Sequence, residues 1–346
     1  MQRCLKLAEL GVGHVAPNPL VGAVLVYAGR IIGEGYHQKF GEAHAEVNCI
    51  NSVADADKNL IAKSTMYVSL EPCAHVGKTP PCADLIIAHK IANVVIGCRD
   101  SFDAVNGKGI ERLKAAGVHV VVDILKNECL ELNRRFFTFH EKKRPYIILK
   151  WAQSSDGKIA GDGSSRLLIS NEYTNRLVHK WRSEEAAILV GTNTALLDNP
   201  ALTTRLWPGN NPVRVVIDTE LKLPMHLKLF DGRVKTIVFN CIKQVDDGML
   251  TFYKLKKEEN MLLQIVSALY KMQIQSVMVE GGVKLVQSFI DEGLWDEARV
   301  ICNEELIIGK GLNAPVLKNY LRVEEQKIKT DIISFFKNEG IKNKYD

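Results

Sequence analysis

The chain has 346 residues, of which 46% are hydrophobic and 25% are charged, and its net charge at neutral pH is +5. This length predicts two domains, and this composition excludes a disordered or fibrous protein. The mild positive charge suits a small anionic substrate or cofactor. No run of Lys and Arg is dense enough to predict a nucleic-acid-binding arm, and the apolar stretches are too short to cross a membrane.

Two features of the sequence predict a cytoplasmic location. The chain begins with "MQRCLKLAELG", an amphipathic helical pattern with charges inside it, which does not resemble a signal peptide. The eight cysteines are sparse and irregularly spaced for a disulfide scaffold. We therefore expect free thiols in a reducing compartment.

The first part of the chain alternates helical and strand patterns. Apolar periodicity predicts helices over residues 2–10, 42–53, 82–90, 107–117 and 126–144. It predicts strands over 20–36 (a pair around a tight turn), 64–70, 93–98 and 118–125. Strands and helices alternating at this spacing predict a layered α/β sheet.

The second part alternates in the same way after a predicted domain boundary near residue 143. The basic end of the helix over 126–144, Pro145 and a fresh strand over 144–154 mark this boundary. Further strands are predicted over 185–191, 212–220, 235–240 and 276–282, and helices over 192–198, 261–273 and 283–293. The charged stretch 242–262 is predicted to be irregular.

A candidate metal site is formed by "GEAHAEVN" and "EPCAHVGKTPPC". His44 lies at a predicted helix start, Cys73 follows a buried strand, and Cys82 opens the next helix. One imidazole and two thiolates suit zinc, and three protein ligands leave a fourth position for water, as a catalytic zinc requires. Glu46 is then placed to carry protons without binding the metal. This H-x-E…P-C pattern is typical of zinc nucleobase deaminases.

Two other interpretations of the cysteines remain open. The site could be a closed structural zinc site, with His75 as a fourth ligand, in a protein that binds without catalysis, or Cys73 and Cys82 could be unrelated core residues. Eight residues separate the cysteines, where a minimal deaminase has two. We interpret the insertion as a substrate-facing loop whose Lys78 meets an anion, although a solvated surface lysine is equally consistent with the residues alone.

Together with "APNPLVGAVLV" and "GEGYHQKFGEAHAEVNCI", this stretch closely resembles the bifunctional riboflavin-biosynthesis enzymes, in which a pyrimidine deaminase is fused to a reductase. The resemblance continues through "LKWAQSSDGKIA", "AAILVGTNTALLDNPALTTR" and "VEGG" and covers nearly the whole chain. It implies a cytidine-deaminase-like three-layer domain over 1–143 and a dihydrofolate-reductase-like α/β domain over 144–346. The implied cofactors are Zn²⁺ and NADPH.

The resemblance also implies roles for individual residues in the deaminase half. Zinc would be bound by His44, Cys73 and Cys82, with Glu46 as the proton shuttle. The implied substrate is a ribosylaminopyrimidine phosphate, whose exocyclic amine is removed by hydrolysis. Its binding residues would be Asn18, His37 and Lys78.

In the reductase half, "VEGG" alone would indicate only a tight strand–helix turn, and no G-x-G-x-x-G supports a Rossmann domain. The resemblance implies NADPH-dependent reduction of the ribosyl group to ribityl. The implied substrate-binding residues are Ser165, Arg182, Leu202, Arg205 and Glu280. The implied NADPH-binding residues are Gln153, Leu167, Thr194, Asp198, Thr219 and Gly282.

Three residues depart from the family pattern. Leu167 stands where tryptophan is common, which would remove a flat wall near the nicotinamide, and Ser155 stands where leucine is common. Ala74 replaces a usual serine, with no expected effect. The alternatives to a fully bifunctional enzyme are a deaminase with an impaired reductase half, and a nucleic-acid or nucleoside zinc deaminase. The expected partners are small phosphorylated pyrimidines, with neither nucleic acid nor membrane, and a possible homo-oligomer through the reductase half.

Overall fold

The structure, a computed structural model, describes residues 1–74, 80–101, 105–162 and 167–340. It divides the chain into two compact units, Met1–Lys143 and Arg144–Asp346. His75 and Lys78, and Ser165 in the second unit, lie outside the described residues. Among the residues that are described, no helix combines the length and the apolarity that a membrane crossing demands.

The first unit is a five-stranded sheet flanked by short helices. Its strands are β1 Gly22–Tyr27, β2 Arg30–Tyr36, β3 Thr65–Leu70, β4 Asn93–Cys98 and β5 His119–Val121. Its helices are α1 Gln2–Glu9, α2 Ala45–Asn51, α3 Cys82–Ala88, α4 Lys108–Ala115, α5 Lys126–Leu132 and α6 Arg134–Lys142, with a 3₁₀ helix over Asp55–Lys63. The strand order is β2-β1-β3-β4-β5, antiparallel on the β1 side and parallel from β3 to β5. The ends of β3 and β4 therefore share one edge of the sheet.

One predicted helix of the first unit is broken. The single helix predicted over 126–144 is two helices, α5 and α6, separated at Asn133. The Asn133 side chain accepts a hydrogen bond from the Leu20 backbone N–H at 2.7 Å and donates to the Leu20 carbonyl at 2.9 Å. Asn133 has φ −99° and ψ 19°, outside helical geometry. A tertiary contact thus overrides the apolar periodicity, which continues across the break.

The second unit is built on a ten-stranded sheet. Its strands are β6 Tyr146–Ser154, β7 Lys158–Gly161, β8 Ala187–Gly191, β9 Val213–Ile217, β10 Thr236–Asn240, β11 Val245–Asp246, β12 Leu250–Lys254, β13 Ser276–Val279, β14 Glu297–Asn303, β15 Gly311–Asn313, β16 Tyr320–Ile328 and β17 Asp331–Asn338. Its helices are α7 Glu172–Glu184, α8 Thr192–Asp198, α9 Met261–Lys271 and α10 Val283–Asp291, with a 3₁₀ turn over Lys228–Phe230. The large sheet has the order β11-β12-β10-β9-β8-β13-β6-β14-β17-β16, and β7 and β15 pair separately.

The seven strands β12, β10, β9, β8, β13, β6 and β14 are neighbours in this sheet and run parallel. Their carboxyl ends therefore meet at one edge. The central strands β6, β8 and β13 are buried on both faces, which explains their continuous apolar sequences. Ligands of open parallel sheets bind beyond such carboxyl ends. The edge after β8, β9 and β13 is therefore where a ligand site is expected.

The prediction that 242–262 is irregular is wrong for part of that stretch. Residues Leu250–Lys254 form β12, which pairs in parallel with β10 over its full length. Charged residues around it conceal the strand pattern in the sequence. The α7 helix, β14 and the β16–β17 hairpin were also not predicted, because they lie in stretches without a clean apolar period.

Candidate active sites

The first unit brings one histidine and two cysteines together. His44 is the extended residue before α2, Cys73 follows β3, and Cys82 is the first residue of α3. The His44 Nδ1 lies 3.3 Å from the Cys82 Sγ and 3.6 Å from the Cys73 Sγ, and the three atoms lie within 4.8 Å of one another. A tetrahedral zinc with ordinary Zn–S and Zn–N bonds separates sulfur from nitrogen by about 3.5 Å. The donor types and their spacing therefore fit zinc.

The two thiols form a pair that carries negative charge. A hydrogen bond from Cys82, with further ones from His44 and the backbone, lowers the pKa of Cys73 to about 4. The same Cys73 contact and burial raise the pKa of Cys82. The backbone N–H of Cys82, at the start of α3, donates to the Cys73 Sγ at 3.3 Å. Cys73 is thus held as a thiolate, the form that binds a metal.

Glu46 lies in the first turn of α2, directly beside the ligands. Its side chain is only 3% exposed. Burial, and then the negative charge of Cys73, raise the pKa of Glu46 to about 7. The carboxyl group also contacts the Cys82 side chain. The structure therefore places a buried carboxyl group beside the three candidate ligands without including it among them.

Asn18 and His37 are brought to the same place. The His37 Nδ1 donates to the Ala43 carbonyl at 3.0 Å, which leaves its Nε2 to accept from the Asn18 side-chain amide at 3.0 Å. The His37 and His44 rings meet edge to face, with centroids 5.4 Å apart. Burial lowers the pKa of His37, which favours this neutral form. His37 therefore lies beside the candidate ligand His44, and Asn18 lies beside His37.

In the second unit, Arg182 of α7 and Glu280 after β13 form a buried, two-pronged ion pair. The Arg182 Nε and Nη2 donate to the two Glu280 carboxylate oxygens at 2.7 and 2.6 Å. The Arg182 Nη1 donates to the Thr203 carbonyl at 3.3 Å. Burial opposes ionisation of Glu280, but the Arg182 charge outweighs it and lowers the pKa of Glu280 to about 2. Two residues predicted to bind substrate are thus partners of each other.

Thr194 and Gly282 meet at the ends of β8 and β13. A Cβ added to Gly281 or Gly282 would lie 3.3 or 3.2 Å from the Thr194 Oγ1. Gly281 has φ +137°, which only glycine adopts readily. The Gly191 N–H donates to the Gly281 carbonyl at 3.0 Å, which ties the two strand ends together. This bare backbone before α10 suits the close approach of a phosphate.

The other predicted reductase residues are distributed around this edge. Asp198 ends α8, and Thr219 follows β9 with its carbonyl accepting from the Cys241 N–H at 2.9 Å. The Gln153 side chain accepts from the Trp151 indole N–H at 2.8 Å. Leu202 is 2% exposed and packs in the core of the unit. Arg205 and Leu167 are exposed.

The structure explains one of the departures from the family pattern. The Ser155 hydroxyl donates to the Leu306 carbonyl at 2.9 Å, and its backbone N–H donates to the same carbonyl. The neighbouring Asp156 accepts from the backbone N–H groups of Ile308 and Gly309. Ser155 therefore fastens this turn to the segment after β14 through a polar contact that leucine cannot make.

Sequence reasoning missed His179, one turn before Arg182 on α7. Its side chain is 4% exposed, and its Nδ1 has no hydrogen-bond partner among the described residues. Burial, and then the charges of Arg182 and Arg205, lower the pKa of His179 to about 4. The sequence around His179 shows only a histidine at an apolar helical position. Nothing in that pattern indicates that Arg182 and Arg205 lie nearby.

We expect His179 to make the second unit sensitive to acid. Its pKa of about 4 lies below the 6.5 of an unfolded chain, so the unfolded state binds more protons between these values. The free energy of unfolding therefore falls as pH drops from 6.5 to 4, with a loss of about 2 kcal/mol by pH 5. Urea titrations at pH 7.5 and 5.0 should show this loss in the wild type and not in His179→Gln. Exposed His226→Gln is the control, and an equal loss in all three proteins would contradict the assignment.

Comparison with known proteins extends over both units. The model of the cytidine and deoxycytidylate deaminase zinc-binding region matches residues 1–98, and that of the RibD C-terminal domain matches residues 145–331. The riboflavin biosynthesis protein RibD of Aquifex aeolicus is 38% identical over 97% of both chains. The Escherichia coli RibD is 35% identical over 89% of this chain and 87% of its own.

Solved structures agree with these relatives. The diaminohydroxyphosphoribosylaminopyrimidine deaminase/5-amino-6-(5-phosphoribosylamino)uracil reductase of Thermotoga maritima superposes with a TM-score of 0.87 at 36% identity, covering 98% of this chain and 97% of its own. Acinetobacter baumannii RibD has a TM-score of 0.87 at 29% identity and 97% coverage of both chains.

These matches confirm the predicted fold class, the two enzymatic activities, and zinc and NADPH as the cofactors. They favour the riboflavin-biosynthesis function over a nucleic-acid or nucleoside deaminase, since they continue through the reductase half. With both halves matched over nearly its whole length, the chain belongs to the RibD family of bifunctional riboflavin-biosynthesis deaminase–reductases.

Proposed function

We propose that the two activities are divided between the two units. Residues 1–143 deaminate 2,5-diamino-6-ribosylamino-4(3H)-pyrimidinone 5′-phosphate, and residues 144–346 reduce the ribosyl group of the product to ribityl. The clustering of His44, Cys73, Cys82 and Glu46 is the observation that carries this proposal. The name of the Thermotoga maritima relative supports the choice of substrates.

In the deaminase unit, His44, Cys73 and Cys82 would hold zinc, which when bound would supply a water molecule of lowered pKa. Glu46 lies beside these ligands and would take one proton from the attacking water and give it to the ring nitrogen as the carbon–oxygen bond forms. It would then carry the second proton to the exocyclic amine, which leaves as ammonia as its carbon–nitrogen bond breaks. Because Glu46 is buried, bulk water does not compete for the proton.

Substrate is held by Asn18, His37 and Lys78. The hydrogen bond from the His37 Nδ1 to the Ala43 carbonyl fixes the ring, and Asn18 then presents its remaining amide donor and carbonyl oxygen to the substrate. Lys78 supplies the positive charge for the phosphate, as the insertion between the cysteines suggests.

In the reductase unit, NADPH supplies a hydride to C1′ of the sugar when it is bound. The residues that hold it are Gln153, Leu167, Thr194, Asp198, Thr219 and Gly282. The close approach of Thr194 to the Gly281–Gly282 backbone supports a phosphate position there. The residues that hold the substrate are Ser165, Arg182, Leu202, Arg205 and Glu280.

We also propose that the enzyme is cytoplasmic and forms homo-oligomers through the reductase unit. All eight cysteines are free thiols, as a reducing compartment favours. The outer edge of the large sheet is β16, whose side chains Tyr320, Leu321 and Val323 are exposed. An edge strand offers unpaired backbone groups to a second copy, and these three apolar side chains would lie at its first half.

A coupled assay tests the proposal. Purified protein is given the diaminopyrimidinone substrate, and ammonia release and NADPH oxidation are followed together. Zinc-loaded protein should do both, whereas protein stripped of zinc should release no ammonia yet still oxidise NADPH when given the deaminated substrate. NADPH oxidation at background level with that product would instead support an impaired reductase half. No ammonia from zinc-loaded protein would contradict the deaminase assignment.

A further inference from the structure

Two separate segments carry the cysteine ligands, and one arginine contacts both of them. The Arg112 Nη1 donates to the carbonyl of Ala74, the residue after Cys73, at 3.0 Å. The Arg112 Nε lies 2.6 Å from an oxygen of Asp84, two residues after Cys82 in the first turn of α3. A single guanidinium group thus bridges the chain next to each sulfur ligand.

The helix that carries Arg112 is anchored on the Cys73 segment from inside. The buried carboxylate of Glu71, two residues before Cys73, accepts hydrogen bonds from backbone N–H groups around the start of α4 and from one just after β4. These donors are Asp100 at 3.3 Å, Gly107 at 3.0 Å, Gly109 at 2.9 Å and Ile110 at 3.2 Å. A Cβ on Gly109 would lie 1.9 Å from the Pro72 carbonyl oxygen, so only glycine permits this contact.

These contacts give α4 a defined place beside the ligands although it contributes none of them. Glu71 fixes the start of α4 to the Cys73 segment, and Arg112 reaches from the next turn to the α3 helix that begins at Cys82. Eight residues separate the two cysteines in the sequence. Arg112 on α4 therefore links the Cys73 segment, through Ala74, to the α3 helix, through Asp84.

We propose that Arg112 is a positioning residue of the zinc centre, which holds the spacing of the Cys73 and Cys82 sulfurs. The inference rests on the ligand set proposed above. Groups that orient metal ligands without touching the metal commonly change metal affinity by about 10- to 100-fold when removed. Because Arg112 and Asp84 are 45% and 40% exposed, their ion pair contributes little to the stability of the fold itself.

Zinc release tests this role without relying on activity. Zinc-loaded proteins are mixed with excess chromophoric chelator at fixed pH, and the rate of metal transfer is followed. We expect Arg112→Ala to release zinc about tenfold faster than the wild type. Arg112→Lys, which keeps the charge but not the planar fork that reaches both partners, should fall between them.

The matched control is Arg30→Ala. Arg30 forms a two-pronged surface pair with Asp57 in the same unit, with side chains 57% and 21% exposed, away from the ligand segments. Release from Arg112→Ala at the rate of Arg30→Ala would overturn the proposal. Asp84→Ala should accelerate release as well, and the double variant Arg112→Ala/Asp84→Ala should be no faster than the faster single variant. Fully additive effects would also overturn it.

The ligand set itself is tested by Cys82→Ser. Zinc retained by Cys82→Ser at the wild-type stoichiometry and release rate would overturn the proposed centre. Zinc lost from Cys82→Ser, together with unchanged release from Arg112→Ala, would overturn only the role of Arg112. Melting of the zinc-free proteins completes the test, because equal melting temperatures for Arg112→Ala and Arg30→Ala show that faster release does not come from general unfolding.

Discussion

Glu46→Gln is expected to reduce ammonia release at least a hundredfold. Glutamine has the shape of glutamate but cannot take and return a proton, and positioned acid–base groups contribute about 10²- to 10⁴-fold. The measurement is steady-state ammonia release from the diaminopyrimidinone substrate by zinc-loaded protein. Zinc content should not change, since Glu46 lies beside the three ligands and is not one of them.

Two controls make the Glu46 result specific. NADPH oxidation with the deaminated product should be unaffected, because it belongs to the other unit. Glu42→Gln removes an exposed carboxylate close to His37 and should retain nearly full ammonia release. Ammonia release by Glu46→Gln within tenfold of the wild type would show that another group carries the proton.

The second large effect is expected at the Arg182–Glu280 pair. Arg182→Met leaves the buried Glu280 carboxylate without its partner, which should lower the free energy of unfolding of the second unit by about 3–5 kcal/mol. Glu280→Gln should cost a similar amount through the unpaired Arg182. The double variant Arg182→Met/Glu280→Gln should recover most of the loss, because no unpaired charge then remains buried.

The free energies of unfolding of the wild type, the two single variants and the double variant are measured by tryptophan fluorescence during urea unfolding. The four tryptophans, at positions 151, 181, 207 and 295, all lie in the second unit, so the signal reports that unit alone. Strictly additive effects of the two single variants would contradict the pairing. Arg214→Met is the matched control. Arg214 lies on β9, and its buried guanidinium group pairs with Asp231. This variant should lower the free energy of unfolding but leave the KM for the reductase substrate unchanged.

The candidate zinc site could be predicted because each proposed ligand occupies a position that local pattern defines. His44 precedes an amphipathic helix, Cys73 follows a buried apolar strand after a proline, and Cys82 opens the next helix. In an α/β sheet, such strand ends and helix starts meet at one edge, so residues far apart in the chain converge. The strands of the sheet interiors were predictable for the same reason, since their burial leaves continuous apolar runs.

The contacts that complete the sites were not predictable from the sequence. Arg182 and Glu280 are 98 positions apart, and nothing in the pattern around either residue indicates that they pair. Arg112 reaches the Ala74 carbonyl across 38 positions, and His179 lies beside the Arg182–Glu280 pair at a position that reads as apolar core. Each of these contacts depends on where whole elements pack.

The sequence by itself predicted the two-domain α/β organisation, the candidate zinc ligands with their proposed proton carrier, and the family. Only the tertiary structure decided that α5 and α6 separate at Asn133, that β12 forms within a charged stretch, and that Arg182 is neutralised by Glu280. The physical reason is the range of the interactions. Apolar periodicity and helix starts are written in neighbouring residues, whereas buried ion pairs and side-chain bonds to distant backbone are satisfied only once the elements have packed together.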